Sequence, residues 1–246
     1  MHHFRIIRLK KNTKVTVIGD IHEHVDQFME MVDRVKPTPD NILVSVGDIY
    51  DKGNGDEPAN RIINKLRELN LSGSAYMVQG NHESKRFKTV KNKCDNLKWA
   101  ESQPRVITFR FANQTKLTVL HAGVTPKHTA HDLNHNIEVM YVRCLDENDD
   151  YIPLTYKLIN GRKKLRPVRD GGVPWHKRYN GRFGYIISGH DSQEDGRIKF
   201  YKYSANIDTR CYDTGILSGI VYSEKGRLDI IRVKGIGLRK AMSKAG

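Results

Sequence analysis

Five short apolar runs in this sequence each end in side chains that can bind a metal ion or carry a proton. They are "GDIH" with Asp20 and His22, "GD" with Asp48, "GNHE" with Asn81 and His82, "HAG" with His121, and "GH" with His190. Carboxylate oxygens, imidazole nitrogens and an amide oxygen suit divalent transition metals such as Mn, Fe or Zn better than they suit calcium. Two such ions clamp a phosphoryl group and lower the pKa of a shared water from about 15.7 to roughly 7. The pattern therefore predicts hydrolysis at a pair of metal ions.

Each of these residues also has an ordinary structural explanation. A Gly-Asp pair after a strand is most often a turn, because Asp caps helices and Gly accepts unusual backbone angles. His121 or His190 taken alone is more often a hydrogen-bonded core histidine than a ligand, and Asn81 is by default a turn residue. Five such coincidences at successive strand ends are much harder to explain in this way.

The elements that position these residues alternate between strands and helices in the first half of the chain. "VTVIGD" (15–20) is a β-branched run that predicts a strand, and apolar residues at helical spacing follow it in 25–35. "ILVSVGD" (42–48) precedes a second helical pattern, and "AYMVQGN" (75–81) predicts a third strand. Ligands of open α/β sheets bind at the carboxyl ends of the strands, so we expect the polar clusters to meet in space.

The second half of the chain reads as short strands separated by turns, and we expect it to be mainly antiparallel. The strand patterns are "RVITFRF", "KLTVLHAG", "FGYIISGH", "IKFYKY", "GILSGIVYS" and "LDIIRVK". Residues 124–182 are polar, basic and punctuated by Gly and Pro, which predicts a long excursion over the active face. The sequence predicts an α+β sandwich of two sheets in a single domain, 1–246, with its core at about 13–234 and a basic tail at 235–246.

Composition excludes several classes of protein. The chain has 246 residues, enough to bury a core, and it contains no apolar run long enough to span a membrane. Its basic N-terminus lacks the pattern of a signal peptide, which indicates the cytoplasm. The three cysteines are widely spaced and form no CxxC, so neither a disulfide framework nor a zinc ribbon is expected.

The charge of the chain indicates an anionic substrate or partner. The formal net charge is +14, and residues 151–182 hold nine cations and one carboxylate. Such a bias is typical of proteins that bind nucleotides or nucleic acid, although a run of charges is often only a well-solvated surface. The sequence leaves the oligomeric state open.

In this order, the motifs "GDIH", "GDIYDKG", "GNHE", "HAG" and "GH" resemble the signature of the calcineurin-like metallophosphoesterases, in the phosphoprotein phosphatase branch. The segments "PVRDGGVPWHKRYNGRFGYIISGH" and "NIDTRCYDTGILSGIVYSE" are similar to bacterial and phage members. Those members include diadenosine tetraphosphatases, PrpE-type phosphatases, the phosphatase domain of polynucleotide kinase-phosphatase and phage Ser/Thr protein phosphatases. The resemblance implies a four-layer α-β-β-α sandwich of two mixed sheets flanked by helices.

The resemblance also implies a role for each matching residue. The metal ligands would be Asp20 and His22 for the first ion, Asp48 as the bridge, and Asn81, His121 and His190 for the second ion. His82 would be the general acid, held and charged by Asp51, and the nucleophile would be a metal-bridging hydroxide. Mn²⁺ is the expected ion, with Fe, Zn and Ni as alternatives.

Three departures from the family pattern affect these expectations. Lys52 stands where the family has an arginine that grips phosphate, and lysine lacks the bidentate planar fork. We therefore expect weaker orientation of the phosphate, or help from a second cation, for which Arg169 is the candidate. Glu23 replaces a glycine, and its side chain would either narrow the site or point to solvent. Arg210 replaces another glycine, close to Asp208, which would either support a histidine ligand through a hydrogen bond or close a turn.

Two classes of function follow from the sequence. The first is a metal-dependent phosphatase whose substrate is a nucleotide, an RNA end or a Ser/Thr phosphoprotein. The second is a catalytically weak or inactive basic module that binds nucleic acid or a phosphorylated partner. The complete ligand set favours the enzyme, and the charge of 151–182 favours nucleotides or RNA over protein.

Overall fold

The computed structural model describes residues 3–52, 55–153, 155–159, 162–166 and 172–235, with the backbone alone for 155–159 and 162–166. The strands in chain order are β1 Phe4–Arg8, β2 Lys14–Ile18, β3 Asn41–Ser45, β4 Ala75–Met77, β5 Val106–Arg110, β6 Lys116–Leu120, β7 Cys144–Leu145, β8 Thr155–Ile159, β9 Arg162–Arg166, β10 Val173–Pro174, β11 Tyr185–Ser188, β12 Lys199–Phe200, β13 Ser204–Asn206, β14 Ile216–Ser223 and β15 Gly226–Lys234. The helices are α1 Val25–Val35, α2 Asp56–Leu71, α3 Asn81–Thr89, α4 Asp95–Glu101, α5 Ala130–His135, α6 Trp175–Arg178 and α7 Cys211–Thr214, with a 3₁₀ turn at Ile137–Met140. None of the described helices has the length and apolar character needed to cross a membrane.

The first sheet has five strands in the order β15-β14-β2-β3-β4. β2, β3 and β4 run parallel, and β14 joins them antiparallel. The connections between the parallel strands are the predicted helix α1 and the predicted helix α2. This half of the chain therefore consists of βαβ units, as its alternating pattern predicts.

The second sheet has six strands in the order β1-β5-β6-β11-β13-β12 and is mixed. β5 and β6 form an antiparallel hairpin, but β11 lies parallel to both β6 and β13, and β1 lies parallel to β5. The expectation of a mainly antiparallel second half is correct for the pairs β5–β6, β12–β13 and β14–β15, but it is wrong for β11, which lies parallel to both of its neighbours. The physical reason is the long connection between β6 and β11, which lets the chain return in the same direction, whereas a tight turn would reverse it.

The core lies in three layers, one between the sheets and one on each outer face. Val17, Val44, Phe109 and Val119 pack between the two sheets. Alternate residues of the same strands face outward, so that Ile18 and its neighbours bury the apolar faces of α1 and α2. On the other side, α5 and α6 cover the second sheet. The fold is thus α+β, with two mixed sheets flanked by helices.

Several described elements were not predicted from the sequence, among them β1, α3 and α4. β1 completes an edge of the second sheet, and α3 and α4 connect β4 to β5. The excursion between 124 and 182 contains α5, the small pairs β7 with β10 and β8 with β9, and α6. Most of the basic tail lies outside the described residues.

Candidate metal centre

The proposed metal ligands follow the carboxyl ends of strands in both sheets. The loop after β2 carries Asp20 and His22, the loop after β3 carries Asp48, and Asn81 begins α3 directly after β4. In the second sheet, His121 follows β6 and His190 follows β11. The two sheets lie face to face, so these loops meet at one edge of the sandwich.

Four of these residues form a close group at one side of the centre. His121 Nε2 lies 3.3 Å from Asp48 Oδ2 and 3.0 Å from Asn81 Oδ1. His190 Nδ1 lies 2.9 Å from the same Asn81 oxygen. Asp48, His121 and His190 are buried and form one of the two groups of described residues whose ligand atoms could hold a metal ion.

Asp48 is shared with a second group, which contains His22 and His82. The Nε2 atoms of both histidines lie 3.8 Å from Asp48 Oδ2. Asp20 lies beside His190, since both of its carboxylate oxygens are 3.2 Å from the backbone nitrogen of that residue. The structure therefore places Asp48 between two potential sites, which is the position that a bridging carboxylate needs.

Backbone carbonyls orient two of the imidazole rings. His121 Nδ1 lies 2.8 Å from the carbonyl oxygen of Val46, and His22 Nδ1 lies 2.9 Å from that of Asp51. A carbonyl can only accept, so Nδ1 carries the proton and donates in both residues. Nε2, the other ring nitrogen, then faces the centre in both residues and is the atom that would bind a metal ion once it is unprotonated.

The charges of the centre also fit divalent cations. Burial lowers the pKa of His22 to about 3 and that of His190 well below its usual range, so both rings stay neutral. Burial would raise the pKa of Asp48, but His121 and its neighbours hold it well below the usual range. Asp48 in turn raises the pKa of His121 to about 9 against the effect of burial. Converging lone pairs and an ionised buried carboxylate are stabilised by a cation between them, so the donor set fits a pair of divalent transition metals.

Two glycines allow the loops to approach the carboxylates. A Cβ atom on Gly80 would lie 2.2 Å from Asp48 Oδ1, and one on Gly189 would lie 1.8 Å from Asp20 Oδ1. Both distances are far inside van der Waals contact. The glycines of "GNHE" and "GH" are therefore required for the centre to close.

His82 and Asp51 form a pair at the rim of the centre. His82 Nδ1 lies 2.9 Å from Asp51 Oδ2, and the ring is 17% exposed. The other oxygen of Asp51 lies 3.6 Å from Nη1 of Arg86. Because Nδ1 donates to the carboxylate, Nε2 of His82 is free to face a ligand in the centre, which is the geometry of a proton donor or of a metal ligand.

Glu83 is a structural residue to which the sequence analysis gave no role. Its fully buried carboxylate accepts hydrogen bonds from the backbone N–H groups of Asp48, Ile49 and Gly80, at 2.8, 2.6 and 2.8 Å. It thereby joins the loop after β3 to the start of α3. The signal was in the sequence, because an acidic residue three positions after a helix cap commonly bonds back to the cap.

Glu23 neither narrows the centre nor points to solvent, so that expectation is wrong. The side chain is buried, and it accepts hydrogen bonds from the backbone N–H groups of Asp51 at 3.0 Å and Gly55 at 2.8 Å. Residues 51 and 52 have φ values of 66° and 68°, which side chains other than glycine rarely adopt. Glu23 therefore stabilises the unusual backbone that carries Asp51 and Lys52.

Lys52 reaches the centre from that loop. Its Nζ lies 3.4 Å from His22 Nε2 and 4.7 Å from the centroid of the Tyr212 ring, in a cation–π contact. Tyr212 is held in turn by Arg210, whose Nε donates to the phenol oxygen at 3.0 Å. Arg169, the predicted second phosphate-binding cation, lies outside the described residues.

Arg143 is a cation next to the centre that the sequence analysis missed. Its Nη2 donates to the carbonyl oxygen of His190 at 2.8 Å, and its side chain is 27% exposed. It lies in the 3₁₀ and β7 region of the long excursion, where no local pattern distinguishes it from the other basic residues.

Within the described part of the chain, Asp208 closes a turn and makes no hydrogen bond to a histidine. Its Oδ1 accepts a hydrogen bond from the backbone N–H of Arg210 at 2.8 Å, and Arg210 has a φ of 58°. Burial raises the pKa of Asp208 to about 6. This contact favours the alternative in which Asp208 closes a turn. Burial raises the pKa of the neighbouring Asp20 well above its usual range, and the carboxyl group of Asp208 raises it further.

Comparisons with known proteins assign the family. The family model for calcineurin-like phosphoesterases matches residues 13–194. The chain belongs to this family, and the resemblance of its motifs is confirmed. None of the curated proteins matches the chain in sequence.

Solved structures show the same fold. A protein named provisionally as a diadenosine tetraphosphatase is 24% identical with a TM-score of 0.73, over 96% of this chain and 99% of that one. A serine/threonine phosphatase from Saccharomyces cerevisiae with similarity to human phosphatase PP5 is 16% identical with a TM-score of 0.57, over 94% of this chain and 84% of that one. A metallophosphoesterase from Sphaerobacter thermophilus is 14% identical with a TM-score of 0.50, over 92% of this chain and 90% of that one.

Proposed function

We propose that this protein is a phosphatase that depends on two divalent metal ions, with His82 as the general acid. One observation carries the proposal: the His82–Asp51 pair stands at the rim of a centre in which Asp48 lies between two groups of potential ligands. Two divalent ions bound there, with Mn²⁺ expected, would supply hydroxide at neutral pH and positive charge against the phosphate oxygens.

Residues of the chain bind the two ions and supply a proton to the leaving group. Asp20, His22, Asp48, Asn81, His121 and His190 hold the ions. Asp51 accepts from Nδ1 of His82, so it stabilises the charged ring and keeps the proton of Nε2 available for the departing alkoxide. Proton delivery of this kind typically contributes 10² to 10⁴ in rate.

Two cations are suited to bind the phosphate. Lys52 stands beside His22, and Arg143 stands beside His190, so each lies next to a different proposed ligand. A guanidinium offers the planar fork that lysine lacks. Arg143 and Arg169 are therefore the two candidates for the arginine that binds the phosphate, because position 52 holds a lysine where the family has an arginine.

The alternative is a module that keeps the fold, binds nucleic acid or a phosphorylated partner, and has little or no activity. Hydrolysis of p-nitrophenyl phosphate separates the two. If the protein is an enzyme, we expect turnover that Mn²⁺ stimulates and a chelator abolishes. A folded, metal-loaded protein without turnover on any phosphoester would contradict it.

For the substrate we propose a nucleotide or an RNA end in preference to a phosphoprotein. The support is the charge of residues 151–182 and the likeness of the fold to the protein named provisionally as a diadenosine tetraphosphatase. A panel of diadenosine tetraphosphate, end-phosphorylated RNA and a phosphoserine peptide tests this choice. Turnover of the peptide alone would overturn it.

A further inference from the structure

A cleft of about 320 Å³ lies beside α3, and its lining includes none of the six metal ligands named above. Ser84, Phe87 and Lys88 line it from α3, and their spacing of three and four residues places them on one helix face. Arg105, just before β5, and His3, just before β1, form the opposite wall. The backbone holds these two together, because the N–H of Arg105 donates to the carbonyl of His3 at 2.8 Å.

Two cations of the cleft lack a negative partner in the described part of the chain. Arg105 makes no ion pair there; Nη1 has a long contact of 3.4 Å to the carbonyl of His135, and Nε is buried without a hydrogen-bond partner. Lys88 is exposed on the facing wall. The one acidic residue of the lining, Glu101, is already paired, with its oxygens 2.6 and 2.7 Å from Nζ of Lys93.

His3 contributes an unpaired ring nitrogen to the cleft and no negative charge. Its Nδ1 is buried without a hydrogen-bond partner, and burial together with Arg105 lowers the pKa of the ring. Burial also lowers the pKa of the Arg105 guanidinium. Buried donors normally have acceptors, so a cleft with an unsatisfied guanidinium N–H and two cations fits an acceptor that carries negative charge.

We propose that this cleft is a second ligand site, which binds a small organic anion through Arg105 and Lys88 and packs the non-polar part of the ligand against Phe87. The anionic group receives charge-assisted hydrogen bonds from the guanidinium. The site is separate from the metal centre and does not depend on the proposed phosphatase activity.

Calorimetric titration of the metal-loaded full chain with phenylphosphonate tests the proposal, because this probe has an anionic group and a ring and is not hydrolysed. We expect Arg105→Gln to weaken binding in the cleft about tenfold or more. The exposed arginine change Arg61→Gln is the matched control and should bind like the wild type. If Arg105→Gln and Arg61→Gln bind phenylphosphonate with equal affinity and stoichiometry, the proposed site is wrong.

A second pair of variants covers the case in which Arg105→Gln does not fold. Lys88→Gln removes an exposed charge of the cleft, whereas Lys85→Gln removes an exposed charge elsewhere on the same helix. We expect several-fold weaker binding in Lys88→Gln alone. Asp48→Asn should keep the binding event that Arg105 supports, and loss of all phenylphosphonate binding in Asp48→Asn would place the anion at the metal centre and contradict the cleft.

Discussion

The carboxylate of Glu23 accepts a hydrogen bond from the backbone N–H of Asp51, with its Oε1 3.0 Å from the nitrogen. This contact links the loop after β2, which carries His22, to the loop after β3, which carries the partner of His82. A residue that departs from the family pattern is thus part of what positions the proposed acid.

Glu23→Ala tests this positioning role. The change leaves the backbone N–H of half-buried Asp51 without its acceptor, at a cost of up to about 1 to 3 kcal/mol, whereas the N–H of exposed Gly55 can bond to water. We expect a clear fall in the free energy of unfolding and at least about a tenfold fall in kcat, because Asp51 is no longer held. Denaturant unfolding and aryl phosphate hydrolysis measure both. Glu30→Ala on the exposed face of α1 is the control, and equal behaviour of the two variants would refute the role.

Lys52 and Tyr212 are expected to act together. Lys52→Met should lower kcat/KM about 10² to 10³ fold, the range seen when one charge-stabilising donor is removed from an active site. Tyr212→Leu should lower it less, since it removes only the ring under the ammonium, and Tyr212→Phe should retain most of the rate. In the Lys52→Met background, Tyr212→Leu should add little; additive losses would show that the two residues act independently.

Arg143→Gln and Arg169→Gln decide which arginine grips the phosphate. We expect Arg143→Gln to lower kcat/KM about tenfold or more, because its guanidinium stands beside His190. Kinetics with an aryl phosphate measure both variants under the same conditions. A fall in Arg169→Gln with none in Arg143→Gln would assign the grip to Arg169.

The cysteines should differ in their reaction with thiol reagents. Cys94 is exposed, whereas Cys211 is buried, and burial with the nearby carboxyl groups of Asp208 and Asp20 raises its pKa. The thiolate is the reactive form, so alkylation should modify the exposed Cys94 and leave Cys211, which is buried and has a raised pKa, unreactive even at a pH of about 9. Mass spectrometry after timed alkylation identifies the modified residue, with Cys94→Ser as the control. Rapid labelling of Cys211 in the folded protein would contradict its burial.

The strand ends were predictable because the pattern that forms a strand and the residue that follows it are local. The helices α1 and α2 and the positions of Asp20 and Asp48 follow from such patterns. The direction of β11 was not predictable in this way, since it depends on how a long connection crosses the sheet.

The roles of Glu23 and Arg143 illustrate a second limit. A buried carboxylate that accepts two backbone N–H groups cannot be distinguished, in sequence, from one that faces solvent or a metal. Arg143 contacts a carbonyl 47 residues away, and no local signal marks such a contact. The roles that the sequence left undecided therefore depend on hydrogen bonds between residues that lie far apart in the chain.

The most direct test of the account is the His82→Asn variant, because His82 lies in one of the two possible metal groups as well as beside Asp51. Metal content is measured by elemental analysis, and rates are compared for p-nitrophenyl phosphate and phenyl phosphate. If His82 is the general acid, the variant binds two ions, as the wild type does. Its rate falls about 10² to 10⁴ fold for phenyl phosphate and much less for p-nitrophenyl phosphate, which has the better leaving group. Loss of metal would contradict the assignment and make His82 a ligand, and equal losses for both substrates with both ions retained would contradict the general-acid role.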